Sequence, residues 1–260
     1  MRNLSVLGLV AAAAVALSSC TGGPGSPPTS SPTQTQPGPA EKVYTAEELR
    51  DLVSGMSDAD GNELRLYSAD QVDRGERIAR LLMGAARVEP PDCKSIATAG
   101  LLDTVERGEV AIAISDSREP RTLSAESGRE GPNAEALLKD ISGKMAQCSE
   151  FTVQIAGQST KVTSDRLEAS TDGKESFATL STRGDGTSDL LMQVSATEGR
   201  LLVVATKNGA SLGDDDRKEL EDLVNNVLEK ARSLSPTATG TASPTGTGRT
   251  SSPSPTVGHP

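Results

Sequence analysis

LLMQVSATEGRLLVVAT, residues 190–206, is the stretch that decides the fold. Leu190 to Ala196 and Leu201 to Thr206 are two short apolar runs joined by Glu198-Gly199, which reads as a hairpin. The same arrangement stands just upstream, where Asp172-Gly173 separates Lys161 to Ala169 from Glu175 to Ser181, and Phe151 to Ile155 alternates before it. Consecutive hairpins imply an antiparallel sheet. Further back, Val110-Ala111-Ile112-Ala113-Ile114 reads as a strand, Arg121 to Ser127 as a poorer one, and Glu63 to Tyr67 as another.

Helical periodicity surrounds these strands. Thr45 followed by Glu48 is a capping box, and Leu49, Leu52 and Val53 then fall on one face. Val72, Ile78, Leu81 and Leu82 place a helix over Ala69 to Arg87, which Pro90-Pro91 ends. Cys93, Ile96, Ala97 and Leu101 fit a short helix with Pro91 near its first turn. Pro132 to Gln147 carries Ala134, Leu137, Leu138, Ile141 and Met145 at helical spacing. The last helix has the strongest stripe, Leu220, Leu223, Val224, Val227, Leu228 and Ala231. Asp214 to Asp216 stand at the positive end of its dipole, and Lys230 and Arg232 at the negative end. The expectation is an α+β domain: an antiparallel sheet of about six or seven strands with N-terminal, middle and C-terminal helices packed on it.

This domain occupies residues 43–233, about 190 residues and enough for one core. Thr21 to Ala40 and Leu234 to Pro260 are almost wholly Ser, Thr, Pro, Gly and Gln, and such segments bury too little apolar surface to offset chain entropy; both are expected to be disordered. The first would be a tether and the second a solvating or glycosylated tail. At the chain start, Arg2 precedes an apolar run, Leu4 to Leu17, too short to span a bilayer, so residues 1–19 read as a signal peptide. The run closes on Leu17-Ser18-Ser19-Cys20, which resembles the lipobox of bacterial lipoproteins. That resemblance implies a lipid on the Cys20 thiol and anchorage to the extracytoplasmic face of the plasma membrane.

Composition excludes several partners. The formal net charge is −10, and cleavage before Cys20 would remove Arg2 and make it one unit more negative. Such a chain repels nucleic-acid backbones and anionic lipid headgroups. There is no Trp, and only two Tyr and two Phe, so stacking platforms for bases or sugars are scarce. With Cys20 assigned to lipid, Cys93 and Cys148 remain in an oxidising compartment and are expected to form one disulfide. A redox-active pair is the alternative, but the spacing is not that of a CxxC motif.

Thr45-Ala46-Glu47-Glu48-Leu49, then Val88-Glu89-Pro90-Pro91-Asp92-Cys93, a second cysteine before Phe151, and the closing strand and helix together resemble the PknH-like extracellular sensor-domain family, which includes actinobacterial lipoproteins. The resemblance implies an α+β sheet domain that binds an extracytoplasmic ligand. Kinase-linked members can carry a second disulfide, for which this chain has no thiols.

The catalytic motifs each lack a partner. Gly209-Ala210-Ser211-Leu212-Gly213 fits the hydrolase G-x-S-x-G pattern, yet the only histidine is His259 in the tail, so no ordered base is expected to take the Ser211 proton. The same lack removes histidine metal sites. Asp58-Ala59-Asp60-Gly61-Asn62-Glu63 invites a calcium reading; aligned on Gly61, an EF-hand loop would begin at Met56 and end at Tyr67, so it fails at both ends, leaving an irregular site or a polar turn. Arg183-Gly184-Asp185 matches an adhesion tripeptide that ordinary hairpin residues supply by chance.

No catalytic residue, cofactor or metal is therefore expected, and no ligand-binding residue can be assigned. The favoured reading is a membrane-anchored, ligand- or protein-binding module that is not an enzyme, acting on an envelope protein or small ligand. The alternative is a carrier for a lipid or other apolar molecule, which demands a large cavity. A third reading, an enzyme using carboxylates alone, demands a close acid pair in a cleft.

Overall fold

The computed structural model describes residues 41–98, 108–129, 133–184 and 189–234. Cys20 and its lipobox, the Thr21 to Ala40 linker, the tail beyond Leu234 with His259, and Leu101 and Asp185 lie outside the described residues. In chain order the elements are α1 (Ala46–Val53), β1 (Leu64–Leu66), α2 (Ala69–Ala85), β2 (Arg87–Glu89), a 3-10 turn (Pro91–Cys93), α3 (Lys94–Thr98), β3 (Gly108–Ser115), β4 (Arg121–Gly128), α4 (Ala134–Lys144), β5 (Glu150–Ile155), β6 (Gln158–Leu167), β7 (Glu175–Arg183), β8 (Leu190–Glu198), β9 (Leu201–Gly209) and α5 (Asp214–Leu234). This is the expected α+β class.

All strand pairs are antiparallel, in one sheet ordered β1-β3-β4-β9-β8-β7-β6-β5-β2. It has nine strands where the sequence predicts about six or seven. Eight of the nine, β1 at Glu63 to Tyr67 included, fall on runs read above as strands; the one not read is the edge strand β2, three residues too short to carry an alternation and held by the ladder of β5. β2 falls in a stretch read as helix end and proline turn. Because β1 and β2 close opposite edges, α2 must carry the chain across the sheet's width, and it touches both β3 and β5. Ile78, assigned by spacing to the buried face of α2, is exposed.

One face of the sheet carries the main core. Leu49, Leu52 and Val53 of α1 and Leu220, Leu223, Val224, Val227, Leu228 and Ala231 of α5 pack on Ala111, Leu123, Val194, Val203 and their neighbours. The capping box forms as read: the Glu48 N–H donates to Thr45 Oγ1 at 3.3 Å and the Thr45 N–H to Glu48 Oε2 at 2.8 Å. Gly199 turns the β8–β9 hairpin with φ +60°, a conformation that costs glycine little. Gly173 is needed for a different reason, since a Cβ there would stand 2.8 Å from Ala196 Cβ and 3.0 Å from the Thr197 carbonyl.

Among the described residues, the second face is covered only in part. Ala134, Leu138, Ile141 and Met145 of α4 seat on Leu202, Val204 and Phe177. A smaller cluster joins Val88, Phe151 and Val162 to the Cys93–Cys148 disulfide, which forms as expected with Cα atoms 5.4 Å apart. No helix among the described residues is long and apolar enough to cross a membrane.

Candidate functional site

Alternation along β7 and β9 gives the second face a gradient. On β9, Leu201, Val203 and Ala205 pack in the main core, whereas Leu202, Val204, Thr206 and Asn208 face the other way. On β7 the corresponding row is Phe177, Thr179, Ser181 and Arg183. Both strands therefore pass from apolar residues under α4 to hydroxyls, and then to an amide and a guanidinium. Beyond α4 this face opens into a groove of about 730 Å³, a volume typical of small-molecule sites.

Strand register builds the floor of the groove. Thr122, Thr206, Gln193 and Thr179 lie side by side on β4, β9, β8 and β7. The next row is Asn208, Leu191, Ser181 and Ser164 on β9, β8, β7 and β6, with the two serine hydroxyls 2.7 Å apart. Phe151, Val153 and Ile155 of β5 and Val162 of β6 form an apolar wall, and Ile96 and Ala97 of α3 form its lip. Both phenylalanines of the chain stand here. In a chain with 36 acidic residues, none of the described residues lining the groove is a carboxylate, and Arg183 is the single charged one.

Charge is concentrated behind this floor, on the main-core side. Register places Arg121 of β4 opposite Lys207 of β9, two cations that would repel across the ladder. α5 answers with Glu219, which takes a bidentate pair from Arg121 at 2.7 and 3.0 Å and stands 3.6 Å from Lys207, and with Asp216, which pairs with Lys207. The 58–62 loop adds Asp58 at 3.6 Å and Asp60 at 3.1 Å from the Arg121 guanidinium. Asp58 Oδ1 also accepts from the Asp60 and Asn62 N–H groups at 3.1 and 2.8 Å. The loop that invites a calcium reading is thus closed on its own N–H groups and on Arg121. Asp216 likewise does more than face a helix dipole, since it accepts the Gly213 N–H at 2.7 Å as well as the Lys207 pair.

These contacts set the titration of the cluster. Burial alone would raise the Asp58 pKa, but the hydrogen bonds from Asn62 and Ser115 and the Arg121 charge more than offset it, leaving it below the ordinary aspartate value. Asp216 is lowered in the same way, its burial outweighed by the Lys207 and Gly213 hydrogen bonds. For Lys207, burial and the Arg121 charge act downward, yet Asp216 and Glu219 carry its pKa above the usual lysine value. A depressed carboxylate binds fewer protons folded than unfolded, so its contribution is full above its unfolded pKa and fades as pH falls through the folded one. A raised lysine contributes fully below its unfolded pKa and fades as pH climbs past it. Urea midpoints are therefore expected to hold from neutral pH down to about pH 4, where free aspartates titrate, and to drop steadily below it. Asp58→Asn should make that acid limb shallower; an unchanged limb would mean that Asp58 is not ion-paired in solution.

Ser211 and Arg183, from the other motifs, fall in a turn and at a strand end. Ser211 is exposed in the turn before α5, with no imidazole among the described residues. Arg183 closes β7, and its Nη2 donates to Asn208 Oδ1 at 2.6 Å, so the first residue of the adhesion tripeptide belongs to the groove. No group of three or more potential metal ligands occurs among the described residues. The groove residues escape a sequence reading because they are ordinary Thr, Ser, Gln and Asn. The signal available was their recurrence at every second position of β7 (Thr179, Ser181) and β9 (Thr206, Asn208), where charged residues would be usual on a wet face.

The geometry defines an open antiparallel sheet with α1 and α5 on one face and, on the other, α4 beside a groove lipped by α3. No family model matches the chain, and no curated protein matches it. Among solved structures it is similar to the extracellular domain of PknH from Mycobacterium tuberculosis, at 13% identity and a TM-score of 0.47, over 73% of this chain and 100% of that one. It is also similar to an Rv0999 ortholog from Mycobacterium smegmatis, at 15% identity and a TM-score of 0.36, over 56% of this chain and 76% of that one.

Proposed function

We propose that this protein is an extracytoplasmic lipoprotein, anchored through Cys20, whose domain captures a small amphiphilic ligand in the groove and performs no chemistry on it. The observation that carries this reading is the groove itself. It offers about 730 Å³, an apolar wall on one side and two rows of hydroxyl and amide groups on the floor, a lining suited to a molecule with both kinds of surface. The carboxylates that do cluster, Asp58, Asp60, Asp216 and Glu219, are paired with Arg121 and Lys207 on the opposite face. That arrangement speaks against an acid pair in a cleft and for a binding role. Of the sensor and carrier readings, both are served by such a groove; an envelope protein as sole partner would leave it without a use.

The test is native mass spectrometry of the protein carrying Cys20→Ser, which frees it from the anchor, purified from its own host without detergent, before and after mild organic extraction. A bound species released by solvent is expected, and Thr206→Trp, which plants an indole on the floor between Thr122 and Gln193, should abolish it while leaving the urea midpoint close to wild type. A clean unliganded mass with Thr206 in place, or retention of the species by the Thr206→Trp variant, overturns the assignment.

A further inference from the structure

Resting on the groove as a ligand site, we infer that its occupant is an anionic amphiphile whose charged end is held by Arg183 and Asn208. Three observations converge on this class. The first is charge: the whole chain carries a formal net charge of −10, yet the described lining of the groove holds one guanidinium and no carboxylate. A negative ligand is repelled by the acidic balance of the chain as a whole and meets an opposite charge, without a competing carboxylate, among the described lining residues.

The second is the coordination of Arg183. Its Nη2 is fixed by Asn208 Oδ1 at 2.6 Å, which sets the plane of the guanidinium. Its Nε is sealed from solvent and has no hydrogen-bond acceptor among the described residues; the exposed Asp189 carboxylate is 4.0 Å away. A guanidinium with donors to spare is suited to the two oxygens of a carboxylate or phosphate. Gln or Lys could not supply that fork.

The third is the pattern of the strands that meet there. Arg183 stands in register with Val162 of β6, which itself pairs with Phe151 of β5, so one step across the ladder leads from the guanidinium to the apolar wall. Leu191 lies on the neighbouring row between Ser181 and Asn208. A ligand whose charged group meets Arg183 can therefore lay a hydrocarbon tail along Val162, Phe151 and Val153 toward the lip formed by Ile96 and Ala97.

Isothermal titration of the full chain, carrying Cys20→Ser so that no acyl chain of its own can enter the groove, distinguishes the possibilities. The probes share one tail: decyl phosphate, decanoate, decanol and decyltrimethylammonium, with inorganic phosphate as a tail-free anion. The two anionic amphiphiles are expected to bind about tenfold to a hundredfold more tightly than decanol, in keeping with hydrogen bonds to a charged group. Decyltrimethylammonium should bind worst. Arg183→Gln should erase the preference while leaving decanol within about twofold of wild type, whereas Lys218→Gln, an exposed cation of α5 outside the lining, should keep it. Equal affinity for decanol and decanoate, or a preference that survives Arg183→Gln, overturns the anionic assignment and leaves the groove reading standing. Inorganic phosphate binding as tightly as decyl phosphate would show an anion site that needs no tail, which also overturns it. Failure of every amphiphile to bind would instead bring down the groove reading.

Discussion

Arg121→Met is expected to lower the unfolding free energy by about 3–5 kcal/mol, the cost typical of stripping one partner from a buried ion pair. The side chain of Arg121 is 4% exposed, that of Asp58 0% and that of Glu219 8%, so removal of the guanidinium leaves two carboxylates with little access to water. Glu219 would retain Lys207 at 3.6 Å and the Ala59 N–H at 2.8 Å, which keeps the loss finite. Asp58 would retain the N–H groups of its own loop and the Ser115 hydroxyl. Single domains are stable by about 5–15 kcal/mol, so a change of this size is a large part of the whole. It should appear as a lower urea midpoint at unchanged slope. Adding Asp58→Asn and Glu219→Met to the variant should recover much of the loss, because a neutral, well-packed replacement of a buried charge group removes the desolvation cost along with the attraction. A loss below about 1 kcal/mol for Arg121→Met would place the cluster among solvated surface pairs and refute its closure.

The clasp and the groove are two sides of the same strand ends. Arg121 faces α5 and its neighbour Thr122 faces the groove; Lys207 faces α5, between Thr206 and Asn208 on the floor. Tying Arg121 and Lys207 to Glu219 and Asp216 therefore also fixes the rows that a ligand would touch. Loosening the clasp should weaken binding even though none of its side chains lines the groove.

What the sequence discloses follows from how local each signal is. The α5 stripe, the α1 capping box and the hairpin at residues 198–199 depend on residues within a few positions of one another, and they form as read; the hairpin centred on residues 172–173 also forms, but its strands pair only from Leu167 and Ala178 outward. The Cys93–Cys148 pair was legible by count alone. β2 was not, because three residues beside prolines carry no period and owe their extended form to pairing with Thr152 to Gln154 of a distant strand. Ile78 lies six residues, about 240° of helical rotation, from the buried Val72, so membership of one helix does not put the two on one face, and Ile78 is exposed. The clasp and the groove are invisible for the same reason. Arg121 and Lys207 become neighbours only once β4 pairs with β9 in one register, and Thr122, Thr206, Gln193 and Thr179 form a row only when four strands are aligned.

Breaking the disulfide should separate the two halves of the structure. Cys93 and Cys148 are 55 residues apart, and closing a loop of that length contributes about 4 kcal/mol on the chain-entropy model, so Cys93→Ser with Cys148→Ser is expected to cost about 2–5 kcal/mol. The location matters more than the total. The bond ties the turn that leads into α3 to the start of β5, and both α3 residues on the groove lip, Ile96 and Ala97, pack in the cluster around it. The main core contains neither cysteine. Amide exchange in the double variant should therefore accelerate most in β2, α3 and β5 and least in β8, β9 and α5, since local opening follows the contacts that are lost. Binding of the decyl probes should fall by at least about tenfold even under conditions where the α5 amides remain protected. Uniform acceleration across every element would mean that the disulfide secures the domain as a single cooperative unit. Unchanged probe binding would show that the lip made by α3 is not part of the site.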